Sequence, residues 1–273
     1  MVGILEAIKK GFGLATKNIM LVAILFAFNL IGSLTSMPFA APATAEAGAA
    51  APQLPVAAVI FSIVFILISI FFQGATIGLV RDAIKAGKMQ LSNFVSYGMK
   101  YYLRLLVLGI LIILIVAVVA LVIGLIIAMV VPLNNTVVTA IAVTIAVAIG
   151  IITALLYFIP LTLSPYALVC DEVGAIEAMK RSLAVAKKPF ARVLWLLLLF
   201  VLLILISLGI GFAVGLVVGL ITAVLPAGLG RILMSVVTSA INGYLGVVMM
   251  AAFMIFYLSI AGKEKPVVAG KTI

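Results

Sequence analysis

The chain has 273 residues, of which 67% are hydrophobic and 9% charged, with a net charge of +10 and a mean hydropathy of +1.50. Domains wetted by water carry about 25% charged residues, so this composition excludes an ordinary soluble globular protein and makes the bilayer the solvent. The chain has no histidine, which removes a histidine base and the usual zinc site; no cofactor, metal or nucleic-acid partner is expected.

The first element is "LEAIKKGFGLATKNI", residues 5–19. Leu5, Ile8, Phe12, Ala15 and Ile19 recur at steps of three and four, the spacing of one helical face, and Lys9, Lys10 and Lys17 fall on the other. A span over 19–36 follows, close to the roughly 20 apolar residues that a bilayer core of about 30 Å requires. The basic start and small-residue stretch behind it look like a cleavable leader. Such apolar regions usually run about 7–15 residues, so a retained span is expected. Residues 37–55, rich in Ala and Pro with Glu46 as the one charge, read as low-complexity linker.

The second span covers 56–80 and carries Gly74 and Gly78, four residues apart, a spacing that lets helices approach closely. Beyond it, "LSNFVSYGMKYYLRL" (91–105) is a weaker copy of the first element, with Ser92 placed to cap its start. Spans over 105–131 and 137–169 come next, joined by the short "VPLNNTVV", which contains a chance-prone glycosylation sequon. The fourth span holds "YFIPLTLSPY": Pro160 and Pro165 each remove a backbone donor and bend the helix, with Thr162 and Ser164 near enough to satisfy freed carbonyls.

Residues 167–195 then gather eight of the chain's 24 charged residues. Within them "IEAMKRSLAVAKKPF" (176–190) repeats the first element. Glu177 matches Glu6, Lys180 and Arg181 match Lys9 and Lys10, and Lys188 matches Lys17; Lys187 adds a further charge. Ile176, Met179, Leu183, Ala186 and Phe190 form the apolar face. Asp171 reads as the N-cap, Pro189 as the stop, and Glu177 is one turn from Arg181, an ion-pair spacing. Cys170, the single cysteine, reads as a small apolar filler. A span over 193–224 carries Gly211, Gly215 and Gly219 at packing intervals, and a sixth covers 232–261. Asn29, Gln73 and Asn242 are polar residues inside spans, read here as partners in hydrogen bonds between helices.

The expected fold is therefore an all-α polytopic membrane protein: a single domain of six transmembrane helices in three parallel repeats (1–86, 87–170 and 171–262), with a short tail, 263–273. Each repeat opens with an amphipathic interfacial helix. All basic residues but Arg231 lie on one side of the six spans, so the positive-inside rule puts both termini in the cytoplasm. Lys9, Lys10, Lys17, Lys180, Arg181, Lys187 and Lys188 are the candidate contacts to anionic lipid or a partner. A homo-oligomer or another membrane protein is the protein partner in view.

The segment "FIPLTLSPYALVCDEVGAIEAMKRSLAVAKKPFARVLWLLLL", with Pro165, Asp171, Gly174, Ala178, Arg181 and Ser182, resembles the six-span membrane domain attached to some glycerophosphodiester phosphodiesterases. It is also similar to stand-alone prokaryotic integral membrane proteins of that type. The resemblance implies the six-span plan and a prokaryotic cell membrane. No phosphodiesterase domain is present in the sequence, so the activity is not carried over.

Three functions compete. A non-enzymatic scaffold acting through its interfacial helices on lipids or a partner is the leading expectation. A transporter or channel using the proline-bent fourth span is the alternative. No carboxylate lies in mid-span, which argues against classical ion coupling. A membrane-embedded enzyme would have to use Tyr166, Cys170, Asp171, Glu172 and Glu177, whose carboxylates capping and ion pairing already explain.

Overall fold

The computed structural model describes residues 3–37, 56–130, 136–153, 157–187, 189–222 and 227–262. Within them the secondary structure is helical: α1 (Ile4–Lys17), α2 (Ile19–Ser36), α3 (Val56–Ala86), α4 (Phe94–Val130), α5 (Thr136–Thr153), α6 (Ile159–Leu161), α7 (Ser164–Asp171), α8 (Ala175–Lys187), α9 (Phe190–Thr222) and α10 (Ala227–Ile260). Five helical stretches are long and apolar enough to cross a membrane: Ile19–Ser36, Val56–Ala86, Leu91–Met129, Phe190–Leu220 and Leu229–Ile260. At 1.5 Å per residue, even the 18-residue α2 extends about 27 Å.

The expected fourth span is not one helix. Beyond α5 and residues 154–156, which lie outside the described residues, it is divided into α6 and α7, with Pro160 and Pro165 in the first turns of these two short pieces. Neither ring can donate to the helix ladder, so the backbone turns at Thr162 and Leu163. Thr162 Oγ1 donates to the Ile159 carbonyl at 2.6 Å, which is not a carbonyl that either proline frees, since those belong to residues 156 and 161. Ser164 does not act this way: its hydroxyl is buried without a hydrogen-bond partner.

Helix ends follow local chemistry. α1 stops at Asn18, whose side-chain Nδ2 donates to the Leu14 carbonyl at 2.8 Å and so competes with the backbone for that acceptor. α3 and α10 end at Gly87 and just before Gly262, both with positive φ (67° and 68°), the left-handed conformation that glycine adopts without a side-chain clash. The middle segment departs from the expected pattern. It has no separate amphipathic helix: a single 3-10 turn at Leu91–Asn93 leads into α4, which runs unbroken for 37 residues. Ser92 lies two residues before that helix starts and does not cap it.

The chain forms two compact units. One comprises residues 1–100 and 198–256, the other residues 101–197 and 257–273. In the first unit, α2 meets α3 through a stack of Phe28 on Phe65 and Phe72, with ring centroids 4.9 and 4.2 Å apart. α2 also meets α10 so closely that a side chain on Gly243 would come within 2.8 Å of the Phe26 backbone nitrogen. Ser33 and Ser235 join the same two helices by a 2.9 Å hydrogen bond. In the second unit α8 lies on α6 and α7, burying Ala175, Ala178, Ser182 and Ala186.

Candidate functional site

The charged residues that interrupt the apolar chain are organised around α8. α7 ends at Asp171, and Glu172 turns the chain with a left-handed φ of 54°. That conformation is strained for a residue with a Cβ, and its surroundings hold it. Arg104 donates to the Glu172 carbonyl at 3.0 Å, and the Tyr101 hydroxyl donates to its carboxylate at 3.3 Å. The turn aims Asp171 inward, so this residue is not the N-cap expected for α8. Its side chain is only 3% exposed and accepts hydrogen bonds from Arg181 Nη1 and from the Tyr257 hydroxyl, each at 3.0 Å.

Arg181 completes the latch. Its Nε donates to Glu177 Oε1 at 3.0 Å, the one-turn pair expected from the sequence. The hydrogen bond to Glu177, then that to Asp171, holds the guanidinium above its ordinary pKa, so it stays charged. Arg181 is thereby bonded to two of the protein's own carboxylates, with its side chain still 41% exposed. Across the buried side of the same helix, Ser182 donates to the carbonyl of Pro160. α8 is thus tied to α6 beside the turn.

α1 is a second helix of the same type, in the first unit. It buries Ala7, Ile8, Gly11 and Ala15, and a Cβ on Gly11 would stand 2.7 Å from the Val248 carbonyl oxygen of α10. Thr16 and Tyr244 bring their hydroxyls to 3.1 Å. Lys10 pairs with Glu6 at 3.0 Å, the counterpart of Arg181 with Glu177. Lys9, Lys17, Lys180 and Lys187 are exposed, and Lys188 lies outside the described residues.

The glycines divide. Gly74 is buried, and a Cβ on Gly78 would lie 2.7 Å from the Tyr97 ring. By contrast, no neighbouring atom lies within 4 Å of a Cβ built on Gly211 or Gly219, and Gly215 meets only the Met234 side chain, at 3.4 Å. A Cβ on Gly11 or Gly243 would approach backbone as closely as one on Gly78 approaches its ring, within 2.7 Å of the Val248 carbonyl oxygen and 2.8 Å of the Phe26 nitrogen. Each lies in a run of small residues four apart (Ala7, Gly11, Ala15; Ser235, Ser239, Gly243) that was not singled out from the sequence. A further charged group was missed as well. Arg81, with its side chain 11% exposed, bonds Asp82 and lies 5.4 Å from the centre of the Tyr97 ring, and the Tyr97 hydroxyl donates to Asp82. Asn29, Gln73 and Asn242 do come together, but around a cavity of about 420 Å³ in the first unit rather than in hydrogen bonds to one another.

Cys170 is buried, as a filler would be. Among the described residues no group of three His, Cys, Asp or Glu side chains could hold a metal ion. The Asp171 carboxylate accepts from a guanidinium and a phenol. No curated protein and no solved structure matches the chain. One family does, over residues 2–260, and the chain belongs to it: Domain of unknown function (DUF7847).

Proposed function

We propose that this is a six-span protein of a prokaryotic cytoplasmic membrane, built from three parallel repeats with both termini inside. It works without catalysis, as a scaffold that contacts anionic lipid through α1 and α8. One observation carries the reading. At a fixed offset of 171 residues the two helices bury matching small positions: Ala7 with Ala178, Gly11 with Ser182, Ala15 with Ala186. In the same register they leave Leu5 (73%) and Ile176 (61%) exposed, together with Lys9 and Lys180. A helix docked by its small face, with a long apolar residue and a lysine left outside, suits the boundary between acyl chains and headgroups.

The orientation is supported by the segregation of every basic residue but Arg231 to one side of the spans. The fourth span, needed beside the five long helices, is assigned to α5 with α6 and α7, since the 18 residues of α5 extend about 27 Å. The transport alternative through this bent span draws less support. Pro160 and Leu161 are buried and Ser182 occupies the Pro160 carbonyl, so the bend serves packing.

The test is the anionic lipid that co-purifies with the full chain at low salt, in wild type and in a Lys9→Gln, Lys17→Gln, Lys180→Gln, Lys187→Gln variant. Each basic residue near an anionic leaflet contributes about 1 kcal/mol, so the folded variant is expected to lose most of its phosphatidylglycerol. Equal retention would reduce the basic face to a topology signal. Orientation is checked separately by cysteines placed at Ala47 and Lys265, both outside the described residues. External reagent is expected to label only the first in intact cells.

A further inference from the structure

We infer that the first unit holds a binding site for a neutral amphiphile, a single-chain lipid with an uncharged, hydroxyl-bearing head. The inference does not depend on headgroup contacts by α1 and α8. The head site is the cavity of about 420 Å³ between α2, α3 and α10, where Asn29, Ser69, Gln73 and Asn242 meet the rings of Phe28 and Phe72. Ligand pockets typically measure about 300–1,000 Å³ and combine an apolar lining with a few convergent polar groups. Here three carboxamides converge between helices that are mostly apolar.

Two of the three carboxamides are not used by the fold among the described residues. Gln73 and Asn242 make no hydrogen bond to the described residues. Asn29 spends one N–H on the Leu25 carbonyl of its own helix, and Ser69 spends its hydrogen on Ile66. Five amide N–H donors and the acceptors of all four side chains therefore remain, since a carboxamide offers two of the first and one carbonyl. An amide in hydrocarbon without partners is costly, and in packed bundles such groups normally bond across helices. No charged residue lines the cavity, so an ionic head would lack a counter-charge. Hydroxyl and ester groups, which donate and accept without charge, match this set.

The tail site adjoins it. A second cavity of about 370 Å³ lies between α9 and α10 and shares Asn242 and Gly246 with the first. Its walls are apolar (Ile204, Leu208, Phe212, Met234, Leu245 and Met249), and its Ser207 is already bonded to the Leu203 carbonyl. Gly211 lines this cavity with open space where a Cβ would lie. A polar cavity joined to an apolar one at a single stretch of α10 suits a molecule with one end of each kind.

The experiment uses the full chain in detergent with a photoreactive monoacylglycerol, and the same label on phosphatidylglycerol as the charged comparison. Crosslinks are expected in α9 and α10 with the neutral probe, competed by unlabelled monoacylglycerol and not by glycerol. Gln73→Leu with Asn242→Leu removes the head contacts and should cut labelling at least about tenfold, the effect of losing one to two hydrogen bonds, while thermal stability holds or rises. Gly211→Phe, which leaves the amides in place, should reduce labelling similarly by filling the tail cavity. Undiminished labelling in either folded variant overturns the proposal. So does equal labelling by the phosphatidylglycerol probe, displacement by glycerol alone, or a loss of stability in the double variant, which would make the amides structural.

Discussion

α1 and α8 share a sequence pattern but are fastened differently. α1 is held by close apolar contact, with Gly11 against the α10 backbone and one pair of hydroxyls, Thr16 and Tyr244. α8 is held by a buried carboxylate, Asp171, that reaches Arg181 on the helix and Tyr257 beyond it, and by Ser182 on the Pro160 carbonyl. Burial of small residues leaves a helix free to adjust by fractions of an ångström. A directional bond to a group with 3% exposure does not, because the partner left behind has no water to turn to. The same sequence pattern therefore supports two helices fastened by different means, and α8 is tied to α6 beside the turn at Thr162 and Leu163.

The largest effect that separates them is expected at Asp171. Asp171→Ala removes the acceptor of both Arg181 and Tyr257, and charge-assisted bonds of this kind contribute about 1.5–3 kcal/mol. The variant should unfold at lower temperature in detergent, with a loss of about 3 kcal/mol. Proteolysis should open first at residues 172–187. If Asp171→Ala is as stable as the parent, the latch contributes nothing and the contrast with α1 fails.

Next comes Gly11→Val. The new side chain must displace the Val248 carbonyl, and overpacking of this kind costs about 1–3 kcal/mol. Here early cleavage is expected in residues 4–17, with α8 still protected; loss of protection in both helices would show that α1 and α8 do not release independently. Ser182→Ala is expected to cost about 1 kcal/mol, the worth of one buried hydrogen bond. Thermal unfolding of this variant should lie between the parent and Asp171→Ala.

The smallest effect concerns Glu6. Its hydrogen bond and then its charge interaction with Lys10 hold the carboxyl below its ordinary pKa. A depressed folded pKa means that the pair stabilises α1 above the usual carboxylate range and that this contribution is lost as pH falls through the folded value. A spin label at Gly13, where a Cβ meets no atom within 4 Å, should report loosening of α1 in acid, and Glu6→Gln should abolish that response. An unchanged acid response in Glu6→Gln would assign it to another group.

Some of this was legible in the residues and some was not. The helices α1 and α8 announce themselves because a repeated Glu–Lys/Arg spacing and a 3.6-residue apolar period are local properties. Their breaks are local too: Asn18 and Pro189 occupy equivalent positions, and each disfavours continuation of the helix. In the middle segment the equivalent position is Arg104, a good helix former, which is why α4 continues where a break was expected. The apolar face read from the sequence is divided in the structure: Ile8, Ala15 and Ala186 are buried, while the larger Leu5 and Ile176 stay outside. Close docking favours Gly11, Ala15, Ala178 and Ala186, whose small side chains let backbones approach.

Composition and periodicity by themselves determined that this chain is helical, that several of its helices are long and apolar enough to cross a bilayer, and where most of them begin and end, because those outcomes depend on neighbours within a turn or two. Only the tertiary structure decided what the polar residues do. Arg181 became part of a latch because Asp171 and Glu177 lie within 3.0 Å of it. Asn29, Gln73 and Asn242, separated by 44 and 169 residues in the sequence, came to line one cavity because α2, α3 and α10 pack around it. Contacts between distant segments are set by packing of whole helices, and a helical period specifies a face without naming what will stand opposite it.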